Sequence, residues 1–372
     1  MLTPRAIGEI AAPLIKRHLD GDGDEAPVPF PEFPKWLWAL FGVDFLIFLP
    51  IALFIGYTVG NVYPVLASVE DENAPPAYQP LSLDDPAPGA NADVEASAAP
   101  NNGTKSESEF PVTSSLRRTY AFLKSTGGWR ASFRGFFCYI VYVFAGSFVS
   151  EIFSGILGKS LKPLGFLLSQ LALVQLNTAW IHIVLTPSSP LRWWKRLPPF
   201  GTTFRAVASP TLLHTAAALI SIFVPALIGF LAGIPYPISP FSPATPTDGK
   251  GAALCVVLVL LTFILQLVLV LPTLVILVRI QASLLPPEQD TIIPFDRSFG
   301  GRIEPAVIGG KPFASVRDAW ATLSRATIKR VAILFVKIFG VNIAFWLAVA
   351  AFVVPQLFLG WHFSKTPSNN GL

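Results

Sequence analysis

Charge is what this sequence has least of. Only 13% of its 372 residues are Asp, Glu, Lys or Arg, whereas soluble domains carry about 25%, so the chain has roughly half the charge that a water-facing surface requires. A fold built of soluble domains is excluded. Cysteine is scarce as well. Cys138 and Cys255 both sit inside apolar runs, which leaves no disulfide framework and no cysteine metal site. The four histidines have no carboxylate at ligand spacing, so no metal centre is expected. There is no nucleophile motif, phosphate-binding loop or pair of catalytic acids, and the chain is read as a non-enzyme without a cofactor. The net charge of +4 is small; its distribution matters more than its sum, and nothing in it points to nucleic acid. No apolar stretch with a small-residue cleavage site precedes the first long apolar run, so no secretory leader is expected.

Apolar residues, by contrast, are abundant: 52% of the chain, with a mean hydropathy of +0.56. A bilayer core of about 30 Å takes about 20 residues of helix. Six runs meet that length, at 36–59, 135–157, 163–185, 212–234, 252–278 and 331–359. They predict an all-α polytopic membrane protein with six transmembrane helices, flanked by tails at 1–35 and 360–372. The lipid bilayer is then its principal partner. Pro50, Pro225, Pro272 and Pro355 fall within these runs, where neighbouring helices can satisfy the carbonyls that proline frees. Trp36, Trp38, Trp193, Trp194 and Trp361 stand at run ends, the depth amphipathic rings prefer.

The connections differ in character. Residues 60–134 form a long loop, acidic at 68–110 and basic and amphipathic at 113–134. The acidic part has nine acids against Lys105 alone, with six prolines. Such a composition cannot bury enough apolar surface to offset ordering entropy, so disorder is predicted. Residues 235–251, with five prolines, read as an extended hinge, and 281–330 as a mixed-charge loop with a helical stretch near Ser315 to Arg330. Eight Lys and Arg lie on the side of the termini and eighteen on the other. The bias places both termini outside and loops one, three and five on the cytosolic or matrix side, in an endomembrane or a mitochondrial membrane.

The acidic loop carries Pro75-Pro76-Ala77-Tyr78, a PPxY element of the kind bound by WW domains, including those of membrane-protein ubiquitin ligases. A prolyl stretch needs little ordering to dock, and the tyrosine fills an adjoining pocket. The same loop holds Asn102-Gly103-Thr104, a glycosylation sequon. The two signals exclude each other, one needing the cytosol and the other the lumen. The basic count favours the cytosolic side and an unmodified Asn102.

Ionisable groups at membrane depth cost about 2.5–3.5 kcal/mol on insertion scales, which makes each a candidate site. Asp44 and Glu151 fall in the outer half and fit either a cation-attracting site or interfacial acids reaching water. Lys337 reads as snorkelling from the inner end of the sixth run. The third run is rich in polar residues: Gln170, Gln175, Asn177, Thr178 and His182. At 100° per residue, Gln175, Thr178 and His182 lie within about 60° of one another. That stripe fits a solute-lining face or a set of interhelical hydrogen bonds. His214, Gln266 and Asn342 extend the choice, and the solute-lining candidates are Asp44, Gln175, Thr178, His182 and His214.

Two segments carry a resemblance. GGWRASFRG (127–135), just before the second run, is similar to the signature preceding even-numbered helices of the mitochondrial carrier family, with Gly128, Phe133, Arg134 and Gly135 in place. PTLVILVRIQAS (272–283) resembles the segment that follows that family's helix-kinking proline and retains Arg279 and Gln281. Pro64, Pro187 and Pro272 match the prolines that end the odd helices. The resemblance implies three two-helix repeats and passage of a small solute. Where the family has an acid two residues on and a base five on, this chain has Leu66, Ser189 and Leu274, then Val69, Arg192 and Leu277. It therefore implies a degenerate carrier keeping only Arg192 of the usual gate. The rival reading is a non-transporting membrane scaffold or adaptor that recruits a WW-domain partner through Pro75, Pro76 and Tyr78.

Overall fold

The computed structural model describes residues 34–71, 111–233, 249–286, 288–299, 301–302 and 313–363. Every regular element among them is helical, as the apolar runs require. The first run forms α1 (Lys35–Leu53), a π-helical segment (Phe54–Val62) and α2 (Tyr63–Val69). Then come α3 (Leu116–Gly127), α4 (Phe136–Leu157), α5 (Lys162–Ala172), α6 (Val174–Leu185) and α7 (Phe200–Leu231). The fifth run forms α8 (Gly249–Leu265), a second π segment (Gln266–Val270) and α9 (Leu271–Ser283); α10 (Val316–Ala321) and α11 (Arg325–His362) complete the chain. Five helices are long and apolar enough to cross a bilayer, or six if α5 and α6 are one bent span. The protein is an integral membrane protein by this measure. Its outward-facing side chains agree: Phe137, Phe144, Phe148 and Ile156 on α4, and Phe230 and Leu231 on α7, are all exposed, a surface suited to hydrocarbon and not to water.

The chain divides into two compact units, residues 1–49 with 346–372 and residues 50–345. In the first, the start of α1 runs beside the end of α11. Trp36 meets Phe363 edge-on at 6.3 Å between centroids, and Phe48 meets Phe352 at 5.6 Å, so the two helices are antiparallel. The second unit holds the main core, where Tyr63 and Leu66 of α2, Ile181 and Leu185 of α6, Leu271 and Val275 of α9, and Val331 of α11 are buried together.

The third apolar run is not the single helix expected at 163–185. It breaks at Leu173, where α5 and α6 meet at 57°. No proline marks the break. Gly165 lets α5 lie against α4 so closely that a Cβ would stand 2.7 Å from Ser154 Oγ. Both halves pack on α4 and α7, and α6 adds contacts with α2 and α9.

The acidic stretch also begins later than expected, because Ser68 and Val69 are buried in α2 and Glu70 is buried at its end. Glu70 is 4% exposed. Its carboxylate accepts from the Val112 amide at 2.5 Å, from the Thr113 amide at 3.1 Å and from the Thr113 hydroxyl. Arg330 Nη1 lies 3.8 Å from the same carboxylate, and its Nη2 donates to the Glu70 carbonyl at 2.7 Å. This clasp holds together the two ends of the 72–110 segment. Two further backbone bonds tie the fifth loop to helix ends: Ile292 N–H to Leu185 O at 2.8 Å and Asp71 N–H to Pro294 O at 3.1 Å.

Candidate functional site

A cavity of about 240 Å³ opens in the second unit where five of the six spans converge. The π segment and α2 contribute Asn61 and Pro64; α4 contributes Tyr139 and Tyr142. Gln170 comes from α5, Asn177 and Trp180 from α6, Thr211, His214 and Thr215 from α7, and Gln281 from α9. No Asp, Glu, Lys or Arg lines it among the described residues. The surface is aromatic and amide-rich, and apart from the titratable imidazole of His214 it carries no charge.

Local structure explains several placements. A π turn takes in an extra residue and often marks a functional site. Each π segment is followed, after one residue, by a proline: Pro64 after Tyr63 and Pro272 after Leu271. Pro64 itself lines the cavity, and α9 reaches it with Leu274, Leu277, Val278 and Gln281. The widened first π segment is braced from within, Asn61 Nδ2 donating to the Gly56 carbonyl at 2.6 Å. Tyr139 Oη then donates to Asn61 Oδ1 at 3.2 Å, and Tyr142 Oη donates to Gln170 Oε1. The tyrosines of α4 thus orient one amide on each side of the cavity.

On α9, Gln281 is fully buried. Its Nε2 donates to Thr178 Oγ1 at 3.2 Å, and its carbonyl accepts from His182 Nε2 at 2.8 Å. Its Oε1 is buried and has no hydrogen-bond partner among the described residues; neither has Thr211 Oγ1 on α7. His214 Nδ1 lies 3.2 Å from Thr273 Oγ1, whose one hydrogen goes to the carbonyls of Leu269 or Val270.

Of the five solute-lining candidates named from the sequence, His214 lines this cavity; so do Gln170 and Asn177 of the third run and Pro64 and Gln281 of the carrier-like residues. Thr178 and His182 stand behind it, holding Gln281. Gln175 turns away and donates to the Pro198 carbonyl at 2.7 Å. Asp44 belongs to the first unit and is not among the lining residues; its Oδ2 is buried without a hydrogen-bond partner among the described residues. Glu151 lies 3.9 Å from Lys162 with both side chains largely exposed, and Lys337 donates to the Ser114 carbonyl at 3.1 Å. Pro75, Pro76, Tyr78 and Asn102 lie outside the described residues.

The carrier-like residues fall into separate settings. Gly128 (φ 65°), Phe133, Arg134 and Gly135 (φ 76°) form the turn into α4. A Cβ on Gly135 would meet Trp180 Cδ1 at 3.0 Å. Pro187 follows α6 in irregular backbone, and Arg192 stacks over Trp194 at 5.1 Å. Pro272 starts α9, and the buried Arg279 lies over Phe299 at 5.4 Å with Nε unpartnered among the described residues.

Asn61, Tyr139, Tyr142 and Thr211 were not anticipated as lining residues. Gln170 and Asn177 stand out in the sequence as amides in an apolar run, one on each side of the break at Leu173. No family model, curated protein or solved structure matches this chain.

Proposed function

We propose that this integral membrane protein is carrier-like, binding a small uncharged solute in the cavity between its spans and passing it across the bilayer. One observation carries the reading: Gln281 Oε1 and Thr211 Oγ1, from facing helices, are both buried beside the same cavity without partners among the described residues. An unpaired buried polar group costs about 1–3 kcal/mol, so such groups call for a guest. A solute bearing hydroxyl or amide hydrogens satisfies both oxygens beside the His214 imidazole. An ion would meet no counter-charge. In this reading both termini face outward and loops one, three and five face the cytosol or matrix.

The test is solute entry into liposomes holding the full-length protein, followed by light scattering with glycerol and urea as probes. Wild-type vesicles are expected to take up one of the two faster than protein-free vesicles, and Gln281→Leu to reduce the excess about tenfold, the equivalent of one lost hydrogen bond. Uptake no faster than in protein-free vesicles overturns the proposal.

The docking reading has its own support in the clasp at Glu70, which brings the ends of the segment carrying Pro75, Pro76 and Tyr78 to one point. A WW domain should then retain the wild-type chain and release Tyr78→Ala. Equal retention of both removes this reading.

A further inference from the structure

A second concavity, about 360 Å³, lies where the turn into α4 meets the end of α6 and the short helix at Trp193–Arg196. Three arginines enter it: Arg130 and Arg134 from the turn, Arg196 from the short helix. No aspartate or glutamate lines it among the described residues.

Their present partners are poor ones for cations. Arg134 Nη1 is buried and has no hydrogen-bond partner among the described residues. Arg196 Nη2 donates to a neutral oxygen, Thr186 Oγ1, at 2.5 Å, and burial lowers its pKa from the ordinary arginine value. Arg130 is exposed and lies 5.9 Å from the Trp129 ring. Ser189 also lines the site. Its Oγ accepts from the Leu191 amide at 3.2 Å, which leaves the hydroxyl hydrogen free to donate inward.

Three like charges in one concavity repel, and without carboxylates the balance must come from a guest. A guanidinium presents a planar fork of donors that matches the oxygens of phosphate two at a time. We propose that this concavity binds a phosphate-class oxyanion, held by Arg134 and Arg196 with Arg130 closing the open side. The anion comes either from a soluble phosphate compound or from a phospholipid headgroup. The rim suits both sources, since Trp129, Leu191 and Trp194 expose apolar surface beside the charges. This site is distinct from the uncharged cavity and stands whether or not a solute passes there.

The test uses the full-length protein in neutral detergent, titrated at constant ionic strength with inorganic phosphate against chloride. A parallel titration sets short-chain phosphatidic acid against phosphatidylcholine of the same chain length. The readout is the apparent melting temperature. A saturable rise is expected with phosphate, with phosphatidic acid or with both. A response to phosphate assigns a soluble source; a response to phosphatidic acid alone assigns a lipid headgroup. Arg130→Gln, at an exposed position, leaves the ligand-free melting temperature unchanged and weakens binding by about tenfold, as expected for one charge-assisted hydrogen bond. Arg196→Gln weakens it at least as much. No saturable response to either anion, or a response unaltered in the Arg130→Gln/Arg196→Gln protein, overturns the proposal.

Discussion

The indole nitrogen of Trp180 donates to the hydroxyl of Tyr57 at 3.1 Å, joining α6 to the first span across 123 positions of sequence. The Tyr57 hydroxyl donates in turn to the carbonyl of Arg134. One phenol therefore connects a residue lining the uncharged cavity to the backbone of an arginine in the second concavity. Tyr57→Phe leaves both the indole N–H and the carbonyl unpaired. It is expected to lower stability by about 1–3 kcal/mol, read as a fall in melting temperature in detergent. Wild-type melting would show that the relay contributes nothing to the fold.

Glu70 and Arg330 are both buried, 4% and 9% exposed, and the carboxylate gathers two backbone amides and a hydroxyl besides the guanidinium. Removing one partner strands the other. Glu70→Ala is expected to cost about 3–5 kcal/mol, and Glu70→Ala/Arg330→Met less than the sum of the two single changes. The measurement is a double-mutant cycle of denaturant midpoints; strict additivity contradicts a coupled pair.

Small residues set the distance between α4 and α5. A side chain at Gly165 meets Ser154 Oγ at 2.7 Å and Ser154 N at 3.0 Å. Gly165→Val must therefore push the helices apart, at a cost of about 1–3 kcal/mol for an overpacked contact. Ser154→Ala on its own should be tolerated, because the Ser154 hydroxyl donates only to the Ser150 carbonyl of its own helix. If Gly165→Val melts like the wild type, the close approach is not a constraint.

Thr211→Val keeps the shape of the side chain and removes a buried hydroxyl that has no partner among the described residues. In the solute-free protein the change should be neutral or stabilising by up to about 1 kcal/mol, since it relieves an unsatisfied group. Solute uptake should fall. Two opposite readouts from one substitution separate a binding role from a structural one, and a melting temperature several degrees below wild type would assign Thr211 to the fold.

The spans were legible because their cause is local: about 20 apolar residues in sequence are enough to specify a membrane helix. α4 begins within one residue of the expected boundary at 135. The break at Leu173 was not legible, because no proline or glycine stands at 171–175 to mark it. Nor was the role of Glu70, which composition counts as one more acid in a charged stretch until Arg330, 260 positions away, is set beside it. The third run is legible as polar, with Gln175, Thr178 and His182 on one side of a helix. Which of its two faces meets the cavity depends on the neighbours. Gln175, Thr178 and His182 hold other elements in place, while Gln170 and Asn177 face the cavity.

The paired π segments have a consequence for chain length. Each takes one more residue per turn than an α-helix, and an α-helix advances 100° with each residue. Removing one residue from 54–62 at unchanged winding would turn the part of the segment before the cut by about a quarter-turn relative to α2. Gly60 and Asn61 form part of the cavity wall, so a change of length before them would re-aim that wall, and this stretch should resist indels more strictly than substitutions.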